Sequence, residues 1–60
     1  MPSDETRRLL KVFGVAVTNL EDAIDGKAPF EEIMKWDGEL ADRTRDIIGL
    51  VERLRSRRIA

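Results

Sequence analysis

Ile24-Asp25-Gly26-Lys27-Ala28-Pro29-Phe30-Glu31-Glu32 divides this 60-residue chain into two helical segments joined by a very short connection. Glycine suits the position just past a helix end, where the backbone turns left-handed, so Gly26 is expected to close the first helix as a left-handed C′ residue. Pro29 suits the first helical position, where its missing N–H costs nothing, and Glu31 and Glu32 place negative charge in the first turn of the second helix. A connection spanning residues 26–29 between two long helices requires them to run antiparallel. The fold class expected is all-α, an antiparallel helical hairpin, with one domain covering residues 1–60.

Upstream of the turn, Leu10, Phe13, Val17, Leu20 and Ile24 recur at alternating steps of three and four, with Leu9, Ala16 and Ala23 beside them. On a helical wheel they cover an arc of about 160°. Val15 is the exception and points away from that stripe. Ser3 is the candidate N-cap, and Asp4 and Glu5 sit where the helix dipole favours an anion. Helix 1 is therefore expected over about residues 4–25.

Downstream, Ile33, Leu40, Ile47, Val51 and Leu54 fall on a seven-residue repeat, flanked by Phe30, Met34, Ala41 and Ile48. Helix 2 is expected over about 29–58. Asp37-Gly38 interrupts the reading, because in one continuous helix Asp37 projects into the apolar stripe and Gly38 costs about 1 kcal/mol relative to alanine. A continuous or kinked helix is the first expectation. A separate short helix over 29–36, with Asp37 capping the next one, is the alternative. Thr44, Arg55 and Arg58 also map into the stripe. Thr44 is expected to bond back to a carbonyl one turn earlier, and the two arginines to reach water at the frayed end. If Asp37 does not cap a helix, its counterpart is expected to be an arginine of a second chain.

Both stripes are wider than one neighbouring helix can cover. A domain of this size is marginally stable without disulfides, a metal or oligomerisation. The chain has no cysteine and no histidine, so disulfides and thiolate-zinc sites are excluded and oligomerisation is the aid that remains. The expected partner is the chain itself, as a homodimeric four-helix bundle, with a larger protein complex as the alternative. The expected interface comprises Leu10, Phe13, Val17, Leu20 and Ile24 of the first helix. From the second it takes Phe30, Ile33, Trp36, Leu40, Ile47, Val51 and Leu54. Trp36 and Phe30 are the candidate contact markers, Trp36 as an anchor or as a lid on the bundle.

Charge is unevenly distributed. Residues 17–39 hold two basic and seven acidic groups, whereas residues 40–60 hold six basic and three acidic. An antiparallel hairpin gathers Arg7, Arg8, Lys11, Arg53, Arg55, Arg57 and Arg58 at one pole. That pole is a candidate patch for nucleic acid or an acidic partner. No aromatic residue interleaves these arginines, so base stacking is not offered, and cations near a helix C-terminus already favour the dipole. Nucleic acid is therefore the secondary expectation. In size and helix layout alone the chain is similar to plasmid-type helical-hairpin RNA regulators that dimerise into four-helix bundles; no motif carries a family assignment.

Catalysis is not expected. Without His or Cys the usual triads and di-iron ligand sets cannot be written, and adjacent Glu31 and Glu32 diverge by about 100° on a helix. Gly14, Gly26, Gly38 and Gly49 are too widely spaced for a phosphate loop. No catalytic, cofactor-binding or metal-ligating residue and no small-molecule substrate is expected. The acidic start Met1-Pro2-Ser3-Asp4-Glu5 does not read as a secretory signal, and the longest uncharged run, Val12 to Leu20, is too short to span a bilayer. A soluble, cytoplasmic protein acting as an interaction module or accessory subunit is the functional expectation.

Overall fold

Ser3 adopts an extended backbone and its hydroxyl accepts the Thr6 amide at 3.1 Å, which starts α1 (Asp4–Asp25). The computed structural model describes residues 3–59 and contains a second helix, α2 (Phe30–Ile59). The two helices pack against each other as an antiparallel hairpin.

The turn is a Schellman motif displaced by one residue from the sequence expectation. Gly26 is not left-handed: its φ is −81°. The left-handed residue is Lys27, at φ 56°. Ala28 N–H donates to the Ala23 carbonyl and Lys27 N–H to the Ile24 carbonyl, the two bonds that define this cap when Lys27 is C′. Glycine propensity points to Gly26, but the hydrogen-bond register of α1 puts the reversal one residue later. The Pro29 carbonyl accepts the amides of Glu32 and Ile33 at 3.0 and 3.1 Å. Pro29 therefore precedes the helix as its cap, with Phe30 as the first helical residue, one position from the expectation.

No break occurs at Asp37-Gly38. The 30 residues of α2 are continuous through it, so the alternative with a separate helix over 29–36 is not what the chain adopts, and Asp37 caps nothing. Propagating an existing helix through one glycine costs less than nucleating a new one. Thr44 donates to the Leu40 carbonyl at 2.8 Å, and Thr18 does the same to Gly14 at 2.9 Å. Along α2, Arg43 bridges Glu39 and Asp46 at 3.0 and 3.1 Å, and on the outer side Arg45 pairs with Asp42. Such exposed pairs contribute a few tenths of a kcal/mol each.

Small residues let the helices approach. Ala16 and Ala23 are buried on α1 and Leu50 on α2, with Ala16 at 2% exposure. Leu9, Phe13, Leu20, Ile33, Leu40 and Ile47 line the same seam half-buried. Among the described residues no large side chain is fully enclosed, and Leu50 keeps 6% exposure. The molecule measures 47 × 18 × 13 Å with a radius of gyration of 14.2 Å. A compact 60-residue domain would have a radius near 10 Å.

Two substitutions test this backbone. Lys27→Gly removes a side chain from a left-handed position and is expected to stabilise the fold by about 0.5–1 kcal/mol. Gly38 has open space where a Cβ would sit, so Gly38→Ala within a continuous helix is expected to add about 1 kcal/mol. Each should raise the melting temperature by several degrees in a circular-dichroism melt. A fall with Gly38→Ala would argue for a break there.

Candidate interaction face

Three residues that alternate around α1 show how its surface is partitioned. Ala16 faces α2, Val15 turns to one side and Val17 to the other, as a 100° step per residue requires. Leu10, Val17 and Ile24 share the Val17 flank, and all three are exposed. On α2, the flank advanced by the same sense of rotation from its buried line carries Phe30, Met34, Ile48 and Val51, likewise exposed. Because the helices run antiparallel, equal rotations from the seam turn both flanks to the same side of the hairpin. One broad face therefore collects seven large apolar side chains. Phe30 is the most open of them at 75%, and Leu10 and Ile48 are each at 54%.

A groove of about 230 Å³ lies on this face, lined by Val17, Leu20, Ile24 and Leu40 and edged by Glu21 and Asp25. Leu40 is the α2 residue that lines it, so the Val17 flank of α1 opens beside the Leu40 edge of α2. Asp37, Thr44, Arg55 and Arg58 follow the same rotation on α2 and are polar positions on this side.

The opposite side is different. There a second groove of about 280 Å³ is lined by Val12, Val15, Ala16, Asn19 and Trp36, with Lys11, Glu39 and Arg43 as its charged margin. The Lys35 ammonium sits 4.9 Å from the Trp36 ring centroid, within cation–π range. Trp36 is half-buried and so belongs to this side, away from Phe30.

The sequence-selected interface residues thus divide four ways. Phe13, Leu20, Ile33, Leu40 and Ile47 form the seam between the two helices. Leu10, Val17, Ile24, Phe30 and Val51 lie on the broad face. Trp36 lines the second groove, and Leu54 closes a third groove beside Ser3, Glu5, Leu50, Arg53 and Arg57. Sequence reading did not select Met34 and Ile48 for the face. It also missed Leu50, which lies in the row Trp36–Arg43–Leu50 at seven-residue spacing. Arg43 interrupts that row, and its charge masks the apolar period.

The basic residues meet at the end opposite the turn, but they do not form one surface. Arg53 reaches Glu5 across the helices at 3.4 Å, and Arg57 lines the same groove. By helical rotation Arg55 and Arg58 lie on the broad-face side of α2. Arg7 and Arg8 are exposed on α1, and Lys11 sits a turn further along in the second groove. Glu21, Asp22, Asp25, Glu31 and Glu32 gather at the turn end. All are exposed.

No helix among the described residues is long and apolar enough to cross a membrane, and no cluster of three potential metal ligands occurs among them. Searches against protein-family models, curated proteins and solved structures return no significant match to this chain.

Proposed function

We propose that this chain is a non-enzymatic interaction module that self-associates through its broad apolar face, two hairpins forming a four-helix bundle that serves as an accessory or regulatory unit. One observation carries the reading. The chain exposes 4919 Å² of surface, whereas a compact globular protein of 6.9 kDa exposes about 4000 Å². The surplus is close to the roughly 800 Å² that each partner buries in a standard protein–protein interface.

Energetics point the same way. Seven side chains that start about half exposed gain on the order of 1 kcal/mol each when covered. Sixty residues support only about 3–9 kcal/mol of folding stability in total. Covering the face is therefore comparable to the stability of the whole domain. The seam alone, with two alanines and one leucine enclosed, supplies little of it.

Sedimentation equilibrium at micromolar concentration is expected to return twice the chain mass of 6.9 kDa. Ile48→Asp places a carboxylate in the middle of the face and is expected to weaken association at least tenfold, while Asp42→Asn on the outer side leaves it unchanged. A wild-type monomer with a sharp thermal transition would sink the proposal.

A phosphate-binding pole is the second reading, favoured by four arginines within residues 53–58. Their spread around the pole argues for the first. Titration with duplex RNA or DNA is expected to give no saturable binding; saturable binding that weakens as salt rises would support the second reading.

A further inference from the structure

We propose that the occupant of the broad face is a second copy stacked with its turn at the opposite end, so that the arginine end of each hairpin lies against the acidic turn end of the other. This rests on the self-association reading and specifies its geometry.

Two hairpins can stack face to face about a two-fold axis in two ways. An axis along the helices puts both turns at the same end. An axis across the helices puts them at opposite ends. Helix dipoles do not discriminate, because adjacent helices are antiparallel in either stacking.

Charge does discriminate. Residues 17–39, which form the turn half, carry net −5, whereas residues 1–16 and 40–60 carry net +1 and +3. Stacking the turns together brings two −5 ends into contact and sets arginines against arginines. Stacking them apart opposes −5 to +4 at both ends. Like charges held together across an interface cost several kcal/mol, so this term opposes the first stacking.

The face itself repeats the pattern. At its turn end Asp25 edges the groove, and Asp37 occupies the exposed flank of α2. Towards the other end the same flank presents Arg55 and Arg58. Continuity of α2 leaves Asp37 with no helix to cap. Covered by a partner in the same orientation, it would meet a second acidic end. Covered by a reversed partner, it looks along the interface towards that partner's arginines.

The chain has no cysteine, so Lys27→Cys introduces a unique thiol at the tip of the turn. With a nitroxide attached, electron–electron double resonance on the dimer is expected to give an interlabel distance of about 40 Å, from a helical rise of about 1.5 Å per residue. A distance below about 20 Å would overturn this orientation and leave self-association standing. A monomer would remove both. Should Lys27→Cys fail to fold, Ser56→Cys at the far end makes the same distinction, long for reversed copies and short for aligned ones.

Discussion

Two α-helices can shield each other only along a strip, and every other property of this molecule follows from how narrow that strip is. Ala16 and Ala23 bring the backbones close, which tightens the seam but encloses little apolar volume. Larger side chains are pushed to the edges, where each is covered on one side only. Hydrophobic burial is the main term opposing chain entropy, and this chain has assembled the residues for a core without a second layer to close it. Antiparallel pairing then adds a consequence that neither helix has alone: the two outward flanks fall on one side. The unfinished core is presented as a surface.

Between two stacked copies, charge would supply the direction that apolar contact cannot. Burial is indifferent to which end of a hairpin meets which, because Leu10, Val17, Ile24, Phe30, Met34, Ile48 and Val51 are distributed along the whole length. The acid-rich turn and arginine-rich end are not indifferent. Ion pairs on a solvated surface are individually weak. Summed over an end, and excluded from part of the solvent, they are the term able to choose between otherwise similar packings.

Much of the architecture was legible from residue spacing. Ser3 as a cap and a turn bounded by Asp25 and Phe30 follow from elementary helix chemistry. Other features lay beyond a single periodic pattern. The left-handed residue is Lys27 and not Gly26, because hydrogen-bond register within α1 outranks glycine propensity at the reversal. Asp37-Gly38 reads as a break locally, yet thirty residues of helix pass through it. Leu50 was hidden by Arg43, whose guanidinium turns aside to Glu39 and Asp46. That the Val17 flank of α1 and the Val51 flank of α2 share one side is visible only once both are set in antiparallel register. That is a tertiary fact, and no wheel drawn for one helix contains it.

Pro29 acquires a further meaning in this setting. Four positions, Gly26 to Pro29, separate a 22-residue helix from a 30-residue one, and of these only the proline is barred from a helix interior. Straightened through the turn, the chain would become a single rod whose halves could exchange between molecules and propagate into open-ended fibres. A proline in the interior of such a rod loses an amide bond and collides with the carbonyl of Asp25, at a cost of about 3 kcal/mol. One ring at the bend thereby opposes that straightened form.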